Sequence, residues 1–128
     1  SWEGFIIDQL ISAFEINFPG SQPFFWRTAR GAEVDLLMVR GDEIMPFEIM
    51  LHSAPKRRDV ASLISCMGDL GIERGYVIYP GKERYSLGAG IVVLPAEKLL
   101  EEPRNILSEA TGTKAVDAST PSPAVSLT

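Results

Sequence analysis

The chain has 128 residues, enough for one compact core and too few for two domains. With 45% hydrophobic and 23% charged residues it has an ordinary globular make-up, which argues against a disordered class, and its single cysteine, Cys66, rules out an internal disulfide or a cysteine zinc site. A net charge of −5 means that any contact with nucleic acid must come from a local basic patch, because the overall field repels phosphate.

Residues 3 to 16 place Ile6, Leu10 and Ala13 on one stripe and Ile7, Leu10 and Phe14 on an overlapping one, the spacing of a mostly buried helix. Pro19 to Pro23 is turn chemistry, and the aromatic run from Phe24 to Thr28 has strand composition. Glu33 to Val39 and Ile44 to Met50 read as two strands joined by a four-residue hairpin loop, Arg40 to Glu43. Pro55 and Lys56 open a second helix in which Val60, Leu63, Ile64, Met67 and Leu70 keep helical spacing and Gly71 caps the end. Gly75 to Tyr79 and Ile91 to Leu94 are short β-rich runs with a weaker strand, Arg84 to Leu87, between them, and Pro95 to Glu102 reads as a final helix. The order αβββαβ(β)βα predicts an antiparallel meander followed by a helical crossover that returns to the same sheet, an α/β sandwich. The ordered domain is expected over 1–110. Residues 111–128, rich in Ser, Thr, Ala and Pro, are expected to be a disordered tail.

Strand alternation puts Glu48, Met50 and, if the strand persists, His52 on one face, and Met45, Phe47, Ile49 and Leu51 on the other, which is core. Asp35 and Glu48 are nearly equidistant from the hairpin turn, so two acids are expected to meet. Acids held together in a half-buried sheet repel and lose hydration unless a cation intervenes, which makes such a pair a candidate divalent-metal site. Glu3, in the first turn of the first helix, is a third candidate ligand; its alternative role is to complement the helix dipole.

Trp2-Glu3-Gly4-Phe5, Phe25-Trp26-Arg27-Thr28, Gly31-Ala32-Glu33-Val34-Asp35, Phe47-Glu48-Ile49, Gly75-Tyr76-Val77-Ile78 and Tyr85-Ser86-Leu87-Gly88, in this order, resemble the C-terminal domain of a prokaryotic AAA+ ATPase family. That domain has no characterised function, and its fold is similar to the restriction-endonuclease-like, PD-(D/E)xK nucleases. The resemblance implies a restriction-endonuclease-like sandwich with a central mixed sheet flanked by helices, and an ATPase domain upstream in the same polypeptide. It also implies an Mg²⁺ site at Glu3, Asp35 and Glu48, of which Asp35 and Glu48 would be catalytic. The position of the nuclease lysine, two residues after the Glu, is Met50. A thioether carries no charge with which to orient hydroxide or stabilise a developing phosphate charge, so a degenerate, inactive nuclease serving nucleic-acid or protein recognition is expected.

Two further readings stay open: an active Mg²⁺-dependent nuclease in which His52 or Lys56 replaces the lysine, and a module that binds only protein. Lys56, Arg57 and Arg58 form the one basic cluster, to which Arg27 and Arg30 add if DNA or RNA is bound; Arg27 could instead neutralise one of the acids. No Gly-x-x-x-x-Gly-Lys phosphate loop occurs, so this stretch alone is not expected to bind ATP. No apolar run approaches the roughly 18 residues of a membrane span, and the chain opens without an initiator methionine or a basic leader. A cytoplasmic piece of a longer polypeptide, with no membrane partner, is expected.

Overall fold

The computed structural model describes residues 1–105, and the tail expected over 111–128 lies outside them. The described chain forms α1 (Trp2–Asn17), β1 (Gln22–Arg27), β2 (Glu33–Arg40), β3 (Glu43–Ile49), a 3-10 turn (Arg57–Val60), α2 (Ala61–Leu70), β4 (Gly75–Tyr79), β5 (Tyr85–Gly88), β6 (Ile91–Pro95) and α3 (Ala96–Glu101). The strands make one mixed six-stranded sheet in the order β1-β2-β3-β4-β6-β5. β1, β2 and β3 run antiparallel as a meander, and α2 then crosses over so that β4 lies parallel to β3 and β6 parallel to β4. The α/β class and the element order match those expected.

Both faces of the sheet are covered. Ile6, Leu10 and Phe14 of α1 and Leu99 of α3 pack on Leu36, Met38, Phe47 and Ile78 from one side. Leu63, Cys66 and Met67 of α2 pack on Val34, Leu37, Val77 and Val93 from the other. Apolar residues at both parities therefore line the central strands, as expected of strands with no solvated face. An aromatic column ties α1 to the sheet: Phe14 meets Phe47 edge-on at 5.8 Å, and Phe47 stacks on Tyr76 at 5.3 Å. Among the described residues no helix is long and apolar enough to cross a membrane.

Local differences from the expected elements have physical causes. β1 begins at Gln22 and includes Pro23, because it is an edge strand where a missing N–H is tolerated. The hairpin loop is shorter than four residues: Arg40 pairs with Glu43, leaving Gly41-Asp42 as the turn. β3 ends at Ile49, so Leu51, expected in the core, is 59% exposed, and His52 leaves the sheet face for the following loop. Arg57–Val60 forms the 3-10 entry before α2 proper begins, and Gly71 closes α2 in the left-handed conformation with φ 68°. Leu70, counted on the buried stripe, is the last residue of α2 and is 39% exposed.

Candidate functional site

The acids expected to converge sit at one end of the sheet, where β2 begins and β3 ends. The last paired positions of this hairpin are Leu36 and Phe47, so Asp35 and Glu48 are the next rung outward. Their juxtaposition follows from the symmetric shortening of the turn, which removes one residue from each side and leaves the register unchanged.

A β-bulge that strand alternation alone does not predict shapes the site. β1 contributes one residue, Phe25, between the pairs Phe24–Leu37 and Trp26–Val34, whereas β2 contributes two, Asp35 and Leu36. A bulge interrupts the ladder and re-aims a side chain. Here Val34 and Leu37 both face α2, and the Asp35 carboxylate takes the place of a ladder carbonyl: Ile49 N–H donates to Asp35 Oδ2 at 2.7 Å. The apolar run from Leu36 to Val39 does not announce the bulge, because a strand covered on both faces carries such a run anyway.

Asp35 keeps solvent on one side, yet burial of its carboxyl raises its pKa; the Ile49 N–H opposes that rise, and the charges of Glu3 and Glu33 add to it. Glu48 is half-buried beneath α2. Burial first, and the charge of Asp35 second, push its carboxyl up to about 7. Its field also reaches Cys66, whose thiol is pushed up to about 11 by burial first, then by Asp69 and Glu48. Glu48 pairs with Val77, which faces α2, and Asp35 feels the charge of Glu3 in the first turn of α1.

Glu3 lies in the first turn of α1, whose N-terminus Ser1 caps by accepting from Gly4 N–H at 3.2 Å. Glu3 is felt by Asp35 but completes no cage: among the described residues no three His, Cys, Asp or Glu side chains converge to hold a metal. Mg²⁺ can be held by one or two carboxylates where phosphates complete its shell. In the acid pair, Asp35 Oδ2 accepts from the Ile49 amide, and burial together with the Asp35 charge raises the Glu48 carboxyl to about 7, a cost that a cation between the two would relieve.

Met50, where the resemblance would place a nuclease lysine, packs with the apolar cluster under α2. His52 is exposed, and its Nδ1 accepts from Ala54 N–H at 3.1 Å, so it serves its own loop instead of facing Glu48. Lys56 is exposed at the head of the 3-10 turn, where its backbone N–H donates to Asp59 Oδ2 at 2.8 Å. Arg57 and Arg58 are exposed on that turn, and Arg30 is exposed in the β1–β2 loop. Arg27 pairs with Glu33 at 3.1 Å and lies over the Phe25 ring, so it neutralises neither Asp35 nor Glu48.

Comparison with known proteins places these residues in a family. An uncharacterised protein of Mycobacterium bovis and one of Mycobacterium tuberculosis are each 34% identical to the chain over 100 residues, which is 78% of this chain and 21% of theirs. The chain thus spans about a fifth of the length of the curated relatives it matches. No solved structure matches it. Residues 1–99, which carry the whole sheet, α1 and α2, match one family along their full length, and the chain belongs to that family, the Domain of unknown function (DUF4143).

Proposed function

We propose that the domain is a restriction-endonuclease-like fold that has lost hydrolysis and serves as a recognition or assembly module beside an AAA+ ATPase domain of the same polypeptide. The observation that carries this reading is Met50. It follows the Glu of the acid pair by two residues and is packed among apolar side chains, where a nuclease would present an ammonium to the attacking water. One further observation supports it: Asp35 has a structural task, because its Oδ2 accepts from the Ile49 amide.

A protein is the favoured partner. The chain carries a net charge of −5, Arg27 is engaged by Glu33, and the remaining basic cluster is the short run Lys56 to Arg58. The alternative, in which His52 or Lys56 supplies the missing cation, lacks a supporting contact: His52 bonds within its own loop.

The test uses the longer polypeptide in which the domain occurs. Deleting the domain is expected to abolish retention of the partner, and Glu48→Ala and Asp35→Asn are expected to leave it intact. Loss of function in Glu48→Ala equal to that of the deletion, with the variant still folded, would assign the acids a chemical role and overturn the proposal.

A further inference from the structure

The two edges of the sheet differ. β5, at one edge, has four residues, an irregularity between Ser86 and Gly88, and a Gly88 N–H that donates to Ser86 Oγ at 3.0 Å. A short, bulged edge resists pairing with another chain. β1, at the other edge, has six residues and adds none at its bulge with β2, so its own alternation is unbroken. Thr28 N–H donates inward to Ala32 O at 2.9 Å, on the rung after Arg27–Glu33. Counted back along the ladder, the N–H and C=O groups of Phe25 and Arg27, with the C=O of Pro23, point away from β2, to a side where no described strand pairs. Beside these groups Phe24 is 51% and Phe25 68% exposed.

This edge is complementary to itself. When a second β1 lies antiparallel with Phe25 opposite Phe25, the two Phe25 residues exchange both backbone bonds, and each Arg27 N–H meets the Pro23 carbonyl of the other copy. The N–H that proline lacks is then missed only at the outer rungs. Phe24 and Trp26, whose partners on β2 both face α2, share that face, so in this register Phe24 meets Trp26 across the axis and aromatic side chains pair with aromatic ones on both faces. A shift of two residues one way sets Pro23 against Phe25 and removes central bonds; a shift the other way brings the two Arg27 side chains into diagonal reach. Although the chain carries a charge of −5, Arg27 is neutralised by Glu33 at 3.1 Å, so the strip itself meets its copy without repulsion. We propose that β1 pairs with β1 of a second copy of this chain about a two-fold axis through Phe25, joining the two sheets into one. A fully covered aromatic side chain buries roughly 150–250 Å², so two copies offer several hundred Å² of aromatic surface, below the roughly 1,200 Å² of a stable interface, and the free chains pair weakly, with a Kd on the order of 100 μM. The pairing stands on β1 alone and holds whether or not Glu48 has a chemical role.

The experiment follows the full chain from about 10 μM to about 1 mM by sedimentation velocity and by amide hydrogen exchange read residue by residue. A monomer–dimer equilibrium is expected, with exchange at Phe25 and Arg27 slowing by about threefold or more over this range, while Phe24 and Trp26, already bonded inward to β2, change less than about 1.5-fold. Phe25→Lys, which sets two ammonium groups against each other at the axis, is expected to abolish both effects; Ser86→Lys, on the β5 edge, is expected to leave both unchanged. Both positions are exposed, and the amide spectrum reports whether each variant is folded. A chain that stays monomeric at about 1 mM, a dimer that survives Phe25→Lys, or slowed exchange confined to another surface would each overturn the proposal. So would protection of the Phe25 amide within a monomeric longer polypeptide, which would give the edge to a different segment.

Discussion

Glu48→Gln is expected to stabilise the domain near neutral pH. The folded protein carries the Glu48 carboxyl from its ordinary 4.5 up to about 7, chiefly because β3 and α2 take it out of water and secondarily because Asp35 is charged beside it. Between these two values the folded state holds a proton that the unfolded chain has lost, so stability falls as pH rises. The contribution is fully present below about 4.5 and is lost through 7. Converting that displacement gives a ceiling of about 3 kcal/mol, which partial solvent contact trims to roughly 1–3 kcal/mol. Glutamine has a similar shape and no charge to desolvate, so the variant should escape this loss. The assay is urea denaturation from pH 4.5 to 8, followed by the fluorescence of Trp2 and Trp26. Wild type should lose stability across this range, and Glu48→Gln should lose much less, exceeding wild type at pH 8. A smaller slope from Asp35, raised in the same direction, should survive in the variant. Equal stability of the two proteins at pH 8, or a wild type that gains stability as pH rises to 7, would refute burial of the charge as the main cause.

Asp35→Ala leaves the Ile49 N–H without its acceptor and should destabilise by about 1–3 kcal/mol. Asp35→Asn keeps a side-chain oxygen for that amide and should sit close to wild type or above it; a matching loss in both variants would show that the charge matters instead. Cys66 is fully buried with its thiol pushed up to about 11, so its labelling by a thiol reagent at pH 8 should proceed only through opening of the domain. Labelling rates should therefore rise with urea in step with unfolding, and rapid labelling in buffer would contradict the close packing of α2 on the sheet.

Much of the fold is written in local patterns. The stripe Ile6, Leu10 and Ala13 identifies the buried face of α1, the spacing from Val60 to Met67 identifies α2, and Gly75 to Tyr79 identifies β4. The meeting of Asp35 and Glu48 follows from their equal distance to a turn, so it holds whether the loop has two residues or four. The rest depends on tertiary context. Nothing local to Glu48-Ile49-Met50 says that the strand stops at Ile49, and that stop sends Leu51 and His52 to solvent. The bulge opposite Phe25 requires knowing which strand lies beside β2, and only then does Asp35 acquire the Ile49 amide as a partner.

The proposed loss of hydrolysis is tested most directly by single-turnover cleavage of labelled single- and double-stranded DNA and RNA by excess purified chain with Mg²⁺ or Mn²⁺, wild type beside Glu48→Ala. With Met50 where the proposed reading places the nuclease lysine and Asp35 committed to an amide, neither protein should cleave above the buffer control. Metal-dependent cleavage by wild type that disappears in Glu48→Ala would contradict an inactive domain.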